Sequence, residues 1–418
     1  MSPRRGRFFA LLIAAALPLL PATDAGSAAY DRGELRLEFG GELRNLLTYT
    51  RRIQTESLLV DGSNQRGPAG LWLLRGRVWV EGVYKERFSG QLVYDQEYRT
   101  GTELDSLAFA IGDRIGTQTW LDADRTIHQS GSSDWRNSLY RAWLRYESDR
   151  FEITLGRQRI AIGVGRIWNP EDLFNPIFPL AIDAGQRIGQ DALVARARIA
   201  GDLWAGFYWS PQDDPDDQRI AGRVEVHRID FDAGLMAGRF EQDWVIGADF
   251  ATNLGDAAFR FEATHTDLHE GDRVWQVVGS IDYTAPVGQG LYLLLEHLYN
   301  QNLAPPEDEF VALPGTDPET AVRVLAALQA DLTNRITTFG LNQTALQVGY
   351  ELTPLLRGDL LLLYDWSGRS AALAPVATYQ LRSDLELAVG AQFFLGGSRA
   401  SQFGDRPALG ILRLDAYF

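Results

Sequence analysis

The chain has 418 residues, with 55 acidic and 40 basic side chains, and its formal net charge is −15. This acidic balance argues against nucleic acid as a partner. The chain contains no cysteine, and this excludes a disulfide framework and thiolate chemistry.

The N-terminus has the pattern of a secretory signal peptide. Arginines precede an apolar run over residues 8–20, which is shorter than the roughly 20 residues that a membrane-spanning helix needs. Small residues follow, and they suit cleavage after Ala29. We therefore predict a cleaved signal peptide over 1–29 and a single domain over 30–418. No other long apolar run follows, so no transmembrane helix is expected.

The remaining chain alternates between apolar and polar residues. Arg141, Trp143 and Arg145, for example, alternate with Ala142 and Leu144. A period of two residues is typical of a β-strand. The alternating runs lie near 34–49, 72–84, 88–98, 137–147, 151–163, 190–200, 202–210, 219–229, 231–241, 243–252, 257–267, 274–284, 290–299, 344–354, 357–366, 370–381, 384–395 and 408–418.

Such strands fit either a soluble sandwich or a membrane barrel. Some eighteen runs are too many for one sandwich, and their connections alternate between short ones, such as 148–150, and long ones, such as 99–136 and 300–343. Aromatic residues such as Tyr84 and Trp244 lie at the ends of the apolar faces. We predict an all-β fold: a single transmembrane antiparallel β-barrel of about 18 strands (16–18), with short periplasmic turns and long external loops.

The last alternating run ends on Phe418, with Leu412, Leu414 and Ala416 on its apolar face. A terminal phenylalanine on such a strand resembles the assembly signal of outer-membrane barrels. We therefore expect the outer-membrane assembly machinery as a partner through Phe418. Outer-membrane lipid and lipopolysaccharide are the other expected partners.

Arginines dominate the predicted inward face on one side of the barrel. An interior of this width is an aqueous channel unless something plugs it. The predicted pore-lining residues are Arg75, Arg77, Arg141, Arg145, Arg157, Arg159, Arg166, Arg187, Arg196 and Arg198. An arginine ladder would bind the carboxylate or phosphate groups of a passing anion through bidentate hydrogen bonds. Alternatively, these charges pair with carboxylates on neighbouring strands.

Arg157 and Arg159 reach the lumen only if the strand is irregular. Strict alternation from Phe151 and Leu155 points them at lipid, where a charge costs about 2–4 kcal/mol at mid-bilayer. We predict a β-bulge at Gly156 that turns both side chains inward.

Two connections are candidates for controlling access. The connection 164–189 is apolar and rich in proline, and a connection of this kind usually packs against something. It either folds into the lumen and narrows it, or lies across the rim. Residues 317–332 have the N-terminal signals of a short amphipathic helix. That helix either closes over the channel as a lid or packs over the rim.

Catalytic and metal-binding patterns are weak. His265 and His269 lie too far apart on a strand for ordinary shared chelation. His227 lies two residues after Glu225, but no serine or motif supports a catalytic constellation. We expect no catalytic, cofactor or metal site.

Residues 155–163 (LGRQRIAIG), followed by 168–176, resemble a pattern in the alginate export family of outer-membrane porin-like proteins. The match rests on Gly156, Arg157 and Gln158 and on the overall architecture. The resemblance implies an 18-stranded barrel with an arginine-rich lumen. It also implies passive export of an acidic polysaccharide, with no catalytic residue.

Three functions are compatible with these patterns. The first is a Gram-negative outer-membrane channel for anionic or sugar-like (carbohydrate) solutes, including export of an acidic polysaccharide. The second is a general or nutrient-uptake porin. The third is a barrel enzyme or assembly scaffold with a closed lumen.

Overall fold

The computed structural model describes residues 28–51, 68–105, 119–175, 179–182, 189–269, 271–303, 335–396, 401–404 and 406–418. The predicted signal peptide lies outside these ranges, except for Ala28 and Ala29, which begin a short strand. The predicted helix over 317–332 also lies outside them. Among the described residues, no helix is long and apolar enough to cross a membrane.

Within the described ranges, twenty strands form one continuous antiparallel sheet. They are β1 Ala28–Arg32, β2 Leu35–Thr50, β3 Ala69–Tyr84, β4 Phe88–Gly101, β5 Arg125–Ser130, β6 Ser133–Glu147, β7 Phe151–Gln158, β8 Gln190–Ala200, β9 Leu203–Ser210, β10 Arg219–His227, β11 Phe231–Phe240, β12 Asp243–Leu254, β13 Ala257–Asp267, β14 Arg273–Ala285, β15 Leu291–Asn300, β16 Asn342–Thr353, β17 Leu356–Asp365, β18 Ser370–Arg382, β19 Leu385–Leu395 and β20 Leu409–Tyr417. Short 3₁₀ turns cover Thr102–Asp105 and Pro215–Asp217.

The sheet closes on itself because β2 pairs with β3 on one side and with β20 on the other. The chain end completes this seam: the amide of Phe418 donates to the carbonyl of Gly41 at 3.0 Å, and the amide of Gly41 donates back at 2.6 Å. Eighteen strands form the closed wall, while β1 and β5 pair only with part of β2 and β6. The predicted 18-stranded antiparallel barrel is confirmed.

Three local features differ from the sequence prediction. Strands β1 and β5 were not expected, and β7 ends at Gln158 rather than continuing to residue 163. The predicted bulge at Gly156 is wrong, because β7 keeps a continuous register with β6 and β8. Gly156 instead has φ +115°, a conformation that L side chains avoid. The irregularity lies instead between the neighbouring strands β4 and β6. Leu139 and Arg141 of β6 face consecutive residues of β4, so Tyr140 has no partner in the register.

The two faces of the wall differ as a barrel in lipid requires. Outward apolar side chains such as Leu144, Leu235 and Ile246 are exposed, whereas inward polar ones such as Glu262 and Thr264 are buried. A continuous apolar outer surface of this size is stable only against another apolar medium.

Candidate functional site

We call the connection between β7 and β8, residues 159–189, the inner loop; its described residues are 159–175, 179–182 and 189. Its side chains Ile160, Ile162, Leu173 and Phe174 are buried. Their wall partners lie on β8 to β12 and are Ala192, Val194, Tyr208, Ala221, Met236, Phe240 and Val245. Each fully buried apolar side chain contributes about 1.5–3 kcal/mol to this packing, so the near part of the loop is firmly held.

The far part of the inner loop packs on a second arc of the wall. Ile167 and Trp168 are buried there, and Phe403 from the last external loop joins them. The wall residues of this cluster lie on β14 to β18 and are Val278, Leu294, Leu298, Ala345, Leu363 and Ala372. A single loop can touch both β8–β12 and β14–β18 only from inside the barrel. The inner loop therefore folds into the lumen, which is one of the two placements that the sequence left open.

Two wall carboxylates bind the backbone of the inner loop. Glu262 on β13 accepts the amides of Val164 and Gly165 at one oxygen, at 2.8 and 3.0 Å, and that of Glu171 at the other, at 2.6 Å. Glu296 on β15 accepts three further amides. Both carboxylates are fully buried. Hydrogen bonds to charged groups contribute about 1.5–3 kcal/mol each, so these six bonds fix the loop against the opposite wall.

Glycines allow the loop to come this close. Gly163 has φ +85°, and a Cβ there would overlap the carboxylate of Glu262 and the side chain of Asn169. A Cβ on Gly165 would overlap the carbonyl of Trp168. The glycine pair thus supplies a tight turn whose amides point at a wall carboxylate.

The inner loop contains two Asn-Pro pairs, at 169–170 and 175–176, and their asparagines brace the loop from within. Asn169 donates to the carbonyl of Ile162 at 2.9 Å, and Asn175 accepts the amide of Ile160 at 2.8 Å. These bonds join the first residues of the loop, 160–162, to its later residues 169–175. They give the Asn-Pro pattern a structural role.

A charged cluster holds the foot of the inner loop. The guanidinium of Arg223 on β10 contacts Glu171 of the loop at 3.3 Å, Asp249 of β12 at 2.7 Å and Glu225 at 3.0 Å. We call these four residues the Arg223 cluster. Gly247 on β12 leaves room for Glu171, because a Cβ there would overlap Oε1 of that carboxylate.

Two cavities lie beside the inner loop, toward the short turns that join β10 to β11 and β12 to β13. The larger, of about 540 Å³, is lined by Arg159 and Arg166 of the loop and by Arg260 of β13, and its acidic lining residues are Asp172, Asp230 and Asp232. The second, of about 340 Å³, shares Arg159 and extends to Arg223. Arg260 pairs with Asp282. Among the described residues, neither Arg159 nor Arg166 makes an ion pair with a carboxylate, so these two guanidiniums present their charge to the cavity.

Seven of the other predicted arginines have partners. Five of them pair with carboxylates on neighbouring strands or, for Glu225, on the next strand but one: Arg75 with Glu42 and Glu97, Arg77 with Asp95, Arg145 with Glu152, Arg157 with Asp191, and Arg196 with Glu152 and Glu225. Arg141 lies over the ring of Tyr140 and Arg198 over that of Trp204. Arg187 lies outside the described residues. The basic wall is therefore largely compensated by acidic neighbours, which is the pairing alternative that the sequence allowed.

Arg157 binds groups of the protein itself and has a structural role. Its guanidinium binds both oxygens of Asp191, at 3.0 and 2.9 Å, and also donates to the carbonyls of Leu139 and Leu121. The side chain is almost fully buried. It joins the rim of β7 and β8 to β6 and the preceding external loop, rather than presenting its charge to a solute.

Sequence reasoning missed the anchors of the inner loop, above all Glu171 and Glu296. A signal for Glu296 was available: it is the one charged residue in the run LYLLLEHLYN. It shares the inward parity of Leu294 and Leu298. An acid on an otherwise apolar inward face needs a buried partner, and here the partner is the loop backbone.

No group of three or more His, Cys, Asp or Glu side chains able to hold a metal ion occurs in the described part of the chain. No protein-family model matches the sequence. No curated protein matches it either.

Solved structures of several bacterial barrels are similar in fold. OccAB1 of Acinetobacter baumannii matches with a TM-score of 0.52 and 11% identity, covering 94% of this chain and 98% of that one. OccK5 (OpdH) of Pseudomonas aeruginosa matches with 0.52 and 11%, covering 91% and 97%. A BenF-like porin of Pseudomonas fluorescens matches with 0.50 and 13%, covering 91% and 98%. At these identities the likeness is one of fold, and the chain has the closed 18-stranded antiparallel barrel that these proteins share.

Proposed function

We propose that the protein is a passive outer-membrane channel of the porin type, used for uptake of small solutes, with the inner loop as its constriction. The observation that carries this proposal is the course of the loop. It crosses the lumen from β8–β12 to β14–β18 and lines a cavity of about 540 Å³.

The selectivity of this channel follows from charge compensation. Wall arginines such as Arg77 and Arg157 are paired with carboxylates, so their fields largely cancel. Arg159 and Arg166 line the cavity beside the inner loop, together with Asp172, Asp230 and Asp232. Because neither arginine makes an ion pair with a carboxylate among the described residues, we propose that both act as positive charges beside the path of the solute. Such charges lower the barrier for an anion and raise it for a cation. We therefore propose a preference for small anionic solutes over cations.

The inner loop favours small solutes over a polymer. Its apolar packing and its six bonds to Glu262 and Glu296 occupy the lumen beside β8 to β18. An acidic polysaccharide would have to pass beside this fixed obstacle. Uptake of small molecules is thus the better supported reading than the polysaccharide export implied by the resemblance to the alginate export family.

The outer membrane of a Gram-negative cell is the location that fits this fold. The apolar outer surface needs lipid, and the similar barrel from Pseudomonas fluorescens is a porin. The seam between Phe418 and Gly41 places the terminal residue at the closing strand pair, where we propose that the assembly machinery recognises it.

Planar-bilayer recording combined with liposome swelling tests this function. We expect a steady ion current, together with swelling in solutions of small carboxylates or monosaccharides but not of an acidic polysaccharide. The absence of current at every voltage would overturn the channel proposal. Swelling of the liposomes in a solution of the acidic polysaccharide would overturn the proposed size limit.

A further inference from the structure

The foot of the inner loop contains more buried carboxylates than cations. Glu171 and Glu262 are fully buried, and Asp249 is nearly so. Within the described ranges, the one cation in contact with Glu171 and Asp249 is the guanidinium of Arg223, which is shared with Glu225. Three buried carboxylates close to a single shared cation cannot all carry a negative charge without a large cost.

The hydrogen bonds indicate where a proton is held. Oε1 of Glu171 has no partner among the described residues if every carboxylate is ionised. The carboxyl groups of Glu171 and Asp249 nevertheless lie against the same guanidinium, that of Arg223, at 3.3 and 2.7 Å, so they meet each other there. An ionised carboxylate only accepts hydrogen bonds, so this contact is satisfied only if one of the two side chains is protonated.

Glu171 is the better proton carrier of the two, because Asp249 makes the closer contact with Arg223. Burial, followed by the neighbouring charges of Glu262 and Asp249, raises the pKa of Glu171 well above its ordinary value. The loop around it is braced and glycine-lined, so the carboxyl group cannot move to water without releasing the loop.

We propose that a proton held between Glu171 and Asp249 locks the inner loop to the wall, so that docking of the loop depends on pH. This inference rests on the proposed channel function for its physiological meaning, because release of the loop would change the constriction. The docking itself is measurable without any transport.

The direction of the effect follows from linkage. A released Glu171 in water would have the ordinary pKa of a glutamate side chain, whereas the docked side chain keeps its proton to higher pH. Docking is therefore strongest in acid and weakens as the pH rises, by up to tenfold in the docking equilibrium per pH unit, until the raised pKa is passed.

Other charged groups around Glu171 also influence whether its carboxyl group holds a proton. They are Glu262 on β13, Asp249 on β12, Arg223 and Glu225 on β10, and Asp172 beside it in the loop. Glu225 also contacts Arg196 and, at 3.6 Å, the exposed ring of His227. The test includes His227→Gln, which separates titration of this ring from titration of Glu171.

Thiol labelling measures docking directly, because the natural chain has no cysteine. Leu173→Cys places a thiol at a buried loop position, and Ala161→Cys places one at an exposed position of the same loop. Labelling rates are compared at pH 5 to 9 with Glu171 intact and with Glu171→Gln, so that the intrinsic pH dependence of the thiol cancels. Glutamine mimics the protonated acid.

We expect labelling at position 173, relative to position 161, to rise with pH when Glu171 is present. It should stay flat in Glu171→Gln and in Asp249→Asn. His227→Gln and Glu386→Gln, a lumenal acid paired with Arg413, should behave like the wild type.

Equal pH slopes with and without the Glu171→Gln substitution, or a flat wild-type ratio, would overturn the lock. Bilayer current tests the channel separately, since its absence at all pH values would refute the proposed function and leave the labelling result standing.

Discussion

The carboxylate of Glu296 accepts the amide of Trp168 at 2.7 Å. This bond joins a loop that begins at β7 to a strand on the far side of the barrel. The same carboxylate accepts the amides of Arg166 and Ile167, both at 2.9 Å. A carboxylate that receives three backbone donors behaves like an anion in a nest of amides. The far end of the inner loop is thereby fixed by the wall rather than by its own sequence.

Replacing Glu296 with glutamine should release the far end of the loop. Glutamine puts an NH₂ group where one carboxylate oxygen accepts an amide, so charged hydrogen bonds of about 1.5–3 kcal/mol each are lost. Hydrogen exchange at the amides of residues 166–168 should become about 10- to 30-fold faster, as expected for a loss of about 2 kcal/mol. Glu386→Gln serves as the matched control. Unchanged protection in Glu296→Gln would show that the carboxylate is not the anchor.

Gly247→Ala should weaken docking at the near end of the loop. The added methyl group would overlap Oε1 of Glu171, and overpacking of a tight site costs about 1–3 kcal/mol. Gly222→Ala on β10 is the control, because a Cβ there meets no atom within 4 Å. Proteolysis of folded protein in detergent measures the difference: only Gly247→Ala should be cut faster within the inner loop. Equal cleavage of both variants would argue against a close fit between Glu171 and β12.

Trp168→Ala should widen the constriction. Trp168 is buried in the second apolar cluster, and truncation of a buried aromatic side chain typically costs about 3–5 kcal/mol. Trp244→Ala on the exposed outer face is a size-matched control. Single-channel conductance should rise, or its fluctuations should grow, in Trp168→Ala alone. A conductance equal to that of the wild type would mean that the far part of the inner loop does not border the permeation path.

The wall was readable from the sequence because each strand carries its own period-two pattern. The bounds of β8 and β13 coincide with the alternating runs at 190–200 and 257–267. Short strands such as β5 were missed because they leave too few residues to show a period. The bulge was assigned to Gly156 from parity and from the preference of bulges for glycine, whereas the irregularity occurred at Tyr140 on the neighbouring strand.

The site was less predictable than the wall. Parity identifies which side chains face inward, but not which inward side chains of neighbouring strands pair with each other. Arg77 and Asp95 both read as inward charges, and only the register between β3 and β4 makes them a bidentate pair. The six bonds to Glu262 and Glu296 use backbone amides of the inner loop, which carry no sequence signature. Residues distant in the chain meet there because a long loop crosses the barrel.

The reversal potential in a salt gradient is the most direct test of the claim that two loop arginines set the selectivity. With tenfold more KCl on one side, an ideally selective channel gives about 59 mV, and we predict an anion-selective sign for the wild type. Arg159→Ala with Arg166→Ala should move the potential toward zero, since each guanidinium near the path contributes about 1–4 kcal/mol. Arg198→Ala, which removes an exposed arginine that lies over Trp204, should change it little. A cation-selective wild type, or a double variant with unchanged anion selectivity, would contradict the account.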